Sequence, residues 1–220
     1  MPILLHQFAA EQPHPYVKLG APYADRSPYY LRQGVLERLL QAQHFLQIEY
    51  PNWRIQIFDA YRPIAVQQFM VDYTLAQTVE ARGLDLQKLT EKQRQEILEE
   101  VYEFWAVPNT NPAMPPPHST GAAVDVTLVD EEGEAIAMGS PIDEMSPRSY
   151  PDYFSDSPSD CIFHHNRQIL KQAMTKAEFQ QHPNEWWHYS YSDQLWAWLN
   201  NQTNLGTTLI AQYGRVEEEF

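Results

Sequence analysis

Apolar residues recur at helical spacing over residues 29–50 and again over 63–78 and 160–176. Pro63 stands at the first turn of the second stretch, where its missing N–H is tolerated. Thr90 and Gln93 form a capping-box pattern that predicts a further helix over 90–105. Ser192 is the expected cap of a short fifth helix that ends near Leu199. The sequence therefore predicts four or five helices.

Strand patterns lie between these helices. Apolar and polar residues alternate over 53–58, which is typical of a half-buried strand. Residues 122–129 form a second strand, and a turn at 130–133 leads to a partner at 135–138, so a hairpin is predicted. The aromatic-rich segment 186–191 is a further strand. This mixture indicates an α+β fold, a single domain with a central antiparallel sheet flanked by helices.

The length of 220 residues fits one domain with a closed hydrophobic core. Residues 1–28, rich in proline, tyrosine and polar groups, are expected to form an extended N-terminal arm. Residues 201–220 are expected to form a C-terminal tail, whose acidic end at 217–219 is solvated. Five prolines between 108 and 117 exclude regular structure there, because each removes a backbone donor.

Charge and composition narrow the function classes. The formal net charge is −14 and no Lys/Arg cluster interrupts it, which argues against a nucleic-acid partner. No stretch approaches the ~20 apolar residues that span a bilayer, and the N-terminus lacks the features of a secretory signal. We therefore expect a cytoplasmic protein with no membrane partner. Cys161 is the single cysteine, which excludes a cysteine-based zinc site, and it is expected to be buried.

Two segments carry candidate metal ligands. His118 ends the proline-rich loop, and Asp125 lies seven residues later inside an apolar strand, where a carboxylate needs a cation or donors. Glu185 and His188 can share a site only if Glu185 lies on the turn before its strand, since residues three apart on a strand face opposite sides. Each segment alone also fits ordinary structure. Together, two histidines and one carboxylate match catalytic zinc, which keeps a fourth position open to water.

Two further segments supply groups that a metallohydrolase needs. Arg62 precedes the proline-started helix, and it is either a paired arginine or a fixed cation for an oxyanion. Asp143 ends a Met-Gly-Ser-Pro-Ile loop, and it either binds a substrate ammonium or caps a turn. The tryptophans beside Glu185 would raise its pKa toward the range of a general base.

These segments, taken in order, resemble the D-alanyl-D-alanine dipeptidases of the vancomycin-resistance type, within the wider group of zinc DD-peptidases. The matching positions are His118 with Gly121, Ala123 and Asp125, the Glu-Trp-Trp-His-Tyr run at 185–189, the Tyr-Arg-Pro run at 61–63, and Met138-Gly139-Ser140 with Asp143. A stretch at 30–43 is also similar, so the resemblance covers about residues 20 to 192.

The resemblance implies a role for each matching residue. One zinc ion would be held by His118, Asp125 and His188. Glu185 would be the base and later the proton donor, and Arg62 would support the transition state. The dipeptide's amino group would be bound by Tyr23 and Asp143. The chain departs from the family at Pro116, where the family usually has a serine that helps to bind substrate. That departure leaves the stereochemical preference open.

The expected activity is hydrolysis of D-alanyl-D-alanine by metal-activated water. Two alternatives remain at this point: a DD- or LD-carboxypeptidase that acts on larger peptidoglycan fragments, and a non-catalytic zinc-binding module that recognises peptides. The sequence does not determine the oligomeric state. The other histidines, His6, His14, His44, His164, His165 and His182, are expected to be structural or surface residues, because none has a suitably spaced partner.

Overall fold

The computed structural model describes residues 1–3, 6–203 and 206–216. Within these residues it contains six α-helices. They are α1 (Pro15–Lys18), α2 (Gln33–Glu49), α3 (Ile64–Ala81), α4 (Glu91–Val101), α5 (Cys161–Lys176) and α6 (Gln194–Thr203). The longer ones confirm the sequence predictions, although α4 ends several residues earlier than expected. None of the helices in the described part of the chain is both long enough and apolar enough to cross a bilayer.

Local sequence explains where these helices begin. Pro63 immediately precedes α3, and Thr90 with Gln93 forms the predicted capping box of α4. The start of α6 differs from the prediction. Asp193, rather than Ser192, accepts the backbone N–H of Trp196 at 2.8 Å, so Asp193 performs the capping function.

One mixed sheet of five strands forms the centre of the described structure, in the order β1-β2-β3-β5-β4. The strands are β1 (Ala9–Ala10), β2 (Arg54–Asp59), β3 (Ala123–Val129), β4 (Gln180–Gln181) and β5 (His188–Ser190). β1 pairs with β2 in parallel, and the other neighbours are antiparallel. The α+β class is confirmed, but the sheet is not wholly antiparallel, because the N-terminal arm adds its own edge strand.

Two apolar clusters cover the elements that hold the site. The larger cluster packs α2 and α5 against the sheet, with Ile55, Ile57, Val126 and Leu128 among its fully buried members. The smaller cluster lies around α3 and α4 and includes Tyr16 and Tyr23 of the N-terminal arm. β3 is buried along most of its length, which explains why its sequence is a nearly continuous apolar run.

Three predictions require correction. The segment 135–138 does not form a strand, since only an isolated bridge joins Val129 to Ala135. The N-terminal arm is not simply extended, because it contains β1 and the short helix α1. Cys161 is exposed at the first residue of α5 rather than buried.

The C-terminal segment beyond α6 lies against the domain where the structure describes it. The backbone N–H groups of Gln212 and Tyr213 donate to the carbonyl of Ser192 at 2.8 and 3.1 Å, and Val216 donates to Ser119 at 2.9 Å. The segment therefore ties the turn that carries His118 to the end of β5. The acidic end at 217–219, predicted to be solvated, lies outside the described residues.

Candidate metal centre

The sheet register brings three polar residues of three adjacent strands side by side. Asp125 of β3 is the Cα partner of both Asp59 on β2 and His188 on β5. An irregularity between Ile57 and Asp59 shifts the register at the end of β2. Directly opposed residues in a sheet have Cβ atoms only ~5 Å apart, so the two carboxylates and the imidazole share one location.

A short 3₁₀ turn, Pro117–Thr120, carries His118 to the same location. Gly121 ends this turn with φ of +68°, a left-handed conformation that favours glycine and lets the chain reverse into β3. The carbonyl of His118 accepts the backbone N–H of Arg62 at 3.2 Å. This bond connects the histidine turn to the segment that follows β2.

His118, Asp125 and His188 place one potential ligand atom each within 4.8 Å of the other two, and all three side chains are buried. His118 Nε2 lies 3.1 Å from His188 Nδ1 and 3.2 Å from an Asp125 oxygen. His188 Nδ1 lies 3.0 Å from the other Asp125 oxygen. The structure thus brings together the three residues predicted to hold zinc.

The outer hydrogen bonds determine which ring nitrogens carry lone pairs. His118 Nδ1 lies 2.7 Å from the carbonyl of Ala60, which can only accept, so His118 Nε2 is left as an acceptor. The hydroxyl of Ser190 donates to Asp193 at 2.9 Å, and His188 Nε2 lies 3.3 Å from that hydroxyl. Ser190 therefore accepts from His188 Nε2–H, which leaves His188 Nδ1 as an acceptor.

Three acceptor atoms consequently converge in a buried place, and none of these three residues can donate a hydrogen bond to the other two there. Such an arrangement needs a cation, and two imidazole nitrogens with one carboxylate form a set that zinc prefers. The bonds from the outer ring nitrogens are also the usual way in which a protein orients ligating histidines. The residues present therefore fit a zinc ion.

Glu185 lies on the turn that precedes β5, as its spacing from His188 required. Its Oε2 is 3.7 Å from His188 Nδ1, and the residue is only 8% exposed. Burial, followed by the nearby charges of Asp125 and Asp143, raises the pKa of Glu185 well above its ordinary value. A carboxylate with a raised pKa beside the acceptor cluster has the properties of a general base.

Arg62 joins the acceptor cluster to Asp59. Its guanidinium donates to Asp59 at 2.8 Å and to the Gln67 side chain at 2.9 Å, and it lies 3.3 Å from Asp125. Burial alone would raise the pKa of Asp59, but Arg62, with histidines nearby, lowers it below the ordinary value. The arginine is thus a fixed, fully charged donor that also lines the cavity described below.

Asp143 approaches the same place from the loop after β3, with φ of +66°. The hydroxyl of Tyr16 donates to Asp143 at 2.8 Å. Burial, followed by the charge of Asp125, raises the pKa of Asp143 to about 7. The Tyr23 hydroxyl instead lies 3.3 Å from Asp59, so the tyrosine that contacts Asp143 is Tyr16. The predicted role of Tyr23 as an amino-group ligand stays a prediction.

A cavity of about 120 Å³ unites these groups. Its lining residues include Arg62, His118, Asp125, Asp143, His182, Glu185 and His188. The volume is below the ~300–1,000 Å³ of pockets that hold drug-sized ligands. The cavity therefore suits a small substrate better than a long chain.

Sequence reasoning missed four residues of this neighbourhood. Asp59 was visible as a carboxylate at the end of an apolar strand, but its partner was not. His14, expected to be structural, lies 3.0 Å from Asp59, and His182, also expected to be structural, lines the cavity. Tyr16 gave no distinguishing signal. Each of the four either contacts a residue that lies far away in the chain or lies on a turn whose direction the sequence does not specify.

Comparisons with known proteins place the chain in a family. A family model described as D-ala-D-ala dipeptidase matches residues 9–205. A D-alanyl-D-alanine dipeptidase of Synechocystis sp. is 51% identical over 224 residues, which cover 98% of this chain and 91% of that protein. The D-alanyl-D-alanine dipeptidase of Escherichia coli is 40% identical over 72 residues, 33% of this chain and 36% of that protein.

One solved structure is a distant match. It is a variant of the vancomycin-resistance D,D-pentapeptidase VanY in complex with Zn(II), with a TM-score of 0.40 and 16% identity over 76% of each chain. That likeness is too distant to bear on individual residues of this chain.

Proposed function

The chain belongs to the D-alanyl-D-alanine dipeptidase family of metallopeptidases, and from that membership we propose that it is a zinc-dependent dipeptidase that hydrolyses D-alanyl-D-alanine. The observation that carries the proposal is the convergence of three acceptor atoms beside Glu185 and Arg62 in one small cavity. A module that bound zinc only for stability would need neither a buried base nor a buried guanidinium at that place.

The substrate's amino group would bind at Asp143. An ionised carboxylate attracts an ammonium, and the Tyr16 hydroxyl holds that carboxylate in place at 2.8 Å. Asp143 itself lines the cavity. The dipeptide's N-terminus would thus lie at the part of the cavity that Asp143 and Arg62 line.

The metal would be held by His118, Asp125 and His188, and when bound it would polarise the scissile carbonyl and lower the pKa of water. Arg62 would stabilise the negative charge that develops on the carbonyl oxygen, because its guanidinium is already oriented by Asp59 and Gln67. No reorganisation of this donor would then be needed during the reaction.

Glu185 would move the proton. It would accept a proton from the attacking water and pass it to the nitrogen of the leaving alanine, so that a C–O bond forms while the C–N bond breaks. Its raised pKa makes the carboxylate a stronger base than an ordinary glutamate. The products are two molecules of alanine, and no co-reactant other than water is required.

The test is a metal analysis joined to a cleavage assay. Purified protein should contain about one zinc ion per chain and release alanine from D-Ala-D-Ala much faster than from L-Ala-L-Ala or from a pentapeptide that ends in D-Ala-D-Ala. The Glu185→Gln variant should keep its zinc and lose activity by roughly 10³-fold or more, since general acid–base catalysis alone contributes ~10²–10⁴.

Different results would identify the alternatives. Faster release from the pentapeptide than from the free dipeptide would indicate a carboxypeptidase. Zinc-loaded protein that cleaves no peptide would indicate a binding module. A Glu185→Gln variant with parental activity would exclude Glu185 as the base while leaving the substrate assignment intact.

A further inference from the structure

A chain of contacts joins residues of the cavity through Tyr16, which lies behind the cavity wall. The Tyr16 hydroxyl lies 2.8 Å from the Asp143 carboxylate. The Arg62 guanidinium lies 3.3 Å from the Tyr16 hydroxyl and 3.3 Å from the Asp125 carboxylate. His188 Nδ1 lies 3.0 Å from the Asp125 carboxylate and 3.7 Å from the Glu185 carboxylate. The Glu185 carboxylate in turn lies 4.0 Å from His182 Nδ1. Asp143 and His182 are thus the two ends of this chain of contacts, with the groups for amide hydrolysis between them.

His182 presents one free N–H group. Its Nδ1 accepts the backbone N–H of Asn184 at 3.2 Å, so a neutral ring carries its proton on Nε2. Within the residues that the structure describes, Nε2 has no acceptor, and it is not among the buried unpaired atoms. The side chain is 25% exposed and lines the cavity.

The ring of His182 is held in place from two sides. It packs edge-on against His188 with ring centroids 5.5 Å apart, and its own backbone N–H donates to the His188 carbonyl at 2.9 Å. A fixed donor binds an anion without a large loss of side-chain entropy. The position therefore has the rigidity that substrate recognition requires.

A dipeptide that places its ammonium at Asp143 directs its carboxylate to the other end of this chain of contacts. That carboxylate would lie on the side of Glu185, whose charge repels it, so a donor is needed there. Pro117 on the cavity wall has no backbone N–H. Trp187 and Trp105 also line the cavity, but they are only 2% and 4% exposed, so His182 is a more accessible donor than either indole.

We propose that His182 donates its Nε2–H to the C-terminal carboxylate of the dipeptide and thereby selects peptides with a free C-terminus next to the scissile bond. The inference rests on the proposed dipeptidase function. It assigns a substrate-binding role to a residue whose sequence context suggested only a structural one. Selection works because the bond to an anion is stronger than the bond to a neutral amide.

The experiment compares D-Ala-D-Ala with its C-terminal amide. The parent enzyme should have a KM for the amide that is about tenfold or more above that for the free acid, in line with the strength of a hydrogen bond to a charged group. The His182→Phe variant should raise the KM for the acid by a similar factor, change kcat less than about threefold and leave the KM for the amide unchanged. His182→Gln, which keeps an N–H donor, should recover part of the loss.

His44→Gln is the matched control, because His44 is exposed on α2 and should behave as the parent. Zinc content and thermal unfolding establish that each variant is loaded and folded. Equal KM values for acid and amide in the parent would overturn the proposal without any variant. A His182→Phe variant that weakens both substrates equally would show a packing role and also overturn it. Failure of the proposed function is distinct, since zinc-loaded parent would then cleave neither compound.

Discussion

Two arginines are buried in the part of the chain that the structure describes, and they have different kinds of partner. Arg62 is 5% exposed and lies against the carboxylates of Asp59 and Asp125 at 2.7 and 3.3 Å. Arg167 is 1% exposed, and within the described residues no carboxylate lies at ion-pair distance from it. One side chain is used for its charge, and the other for its shape.

Arg167 connects α5 to the loop that carries Asp143. Its guanidinium donates to the carbonyls of Met138 at 2.7 Å, Tyr150 at 2.8 Å and Arg148 at 2.9 Å, and to the hydroxyl of Ser140 at 3.1 Å. The same hydroxyl accepts the indole N–H of Trp186 at 3.0 Å. A single planar donor group thus fixes the Asp143 loop against the turn of Glu185.

The pKa values reflect this difference. Burial disfavours the charge of both arginines, but at Arg62 the neighbours Tyr16, Asp59 and Asp125 outweigh it and hold the pKa well above the ordinary value. At Arg167 burial dominates and lowers the pKa to about 10. Arg62, unlike Arg167, is a candidate for catalysis, because its partners are charged and it lines the cavity.

The largest effect should come from removing the charge at Arg62. We expect Arg62→Met to reduce kcat/KM by roughly 10²- to 10³-fold or more, because a lost oxyanion donor has that effect in other hydrolases. Steady-state kinetics with D-Ala-D-Ala measure it, and zinc content shows whether Asp125 still binds metal. A reduction of less than about tenfold in zinc-loaded protein would contradict the assignment.

The matching change at Arg167 should affect stability. Arg167→Met removes four buried hydrogen bonds, and at ~1 kcal/mol for each we expect a loss of about 3–5 kcal/mol. For a domain of this size that corresponds to a fall in Tm of roughly 6–20 °C. Arg148→Met is the control, since Arg148 is about half exposed and should change Tm by only a few degrees. Equal shifts in the two variants would show that burial of the Arg167 fork is unimportant.

Lysine substitutions should separate charge from shape with smaller effects. Arg62→Lys keeps a cation beside two carboxylates, so we expect Tm to change little while kcat/KM falls roughly 10- to 100-fold through the lost fork geometry. The lysine of Arg167→Lys cannot reach all four acceptors. This variant should therefore recover less than half of the stability that Arg167→Met loses. Thermal unfolding and kinetics on the four variants provide the comparison. A parental Tm for Arg167→Lys would refute the shape argument.

The smallest effect concerns the pH dependence of stability at Asp143. Its pKa is about 7 in the folded protein and ~4 in an unfolded chain, so the folded state holds a proton that the unfolded state releases between these values. Metal-free parent should therefore lose stability as pH rises from about 4 to about 7.

The Asp143→Asn variant removes that titration. It should be more stable than the parent at pH 8, with a difference that vanishes as pH falls toward 4. We expect about 1 kcal/mol, because Asp143 is partly exposed and solvent screens it. Asparagine tolerates the left-handed backbone at this position. The free energies of unfolding of chelator-treated parent and variant, measured at several pH values, give the difference. A parent more stable than Asp143→Asn at pH 8 would contradict the predicted direction of the effect.

Much of the local structure was accessible from the sequence because it depends on neighbours in the chain. The periodicity of 29–50 predicts α2, Pro63 predicts the start of α3, and Thr90 with Gln93 predicts the capping box of α4. The spacing of Glu185 and His188 required Glu185 to lie on the turn before its strand, and the structure places it there. The candidate ligands were also accessible, since a polar residue in an apolar strand needs a partner.

The partners themselves were decided by tertiary structure. The strand order β1-β2-β3-β5-β4 and the irregularity after Ile57 place Asp59 opposite Asp125, and no local pattern encodes that register. Tyr16 lies 127 residues from Asp143, and His182 lies on a turn whose direction depends on packing against His188. Sequence alone determined which chemical groups this protein has and which local elements carry them. Only the folded sheet decided which groups meet, because contacts between distant residues depend on register and packing rather than on periodicity.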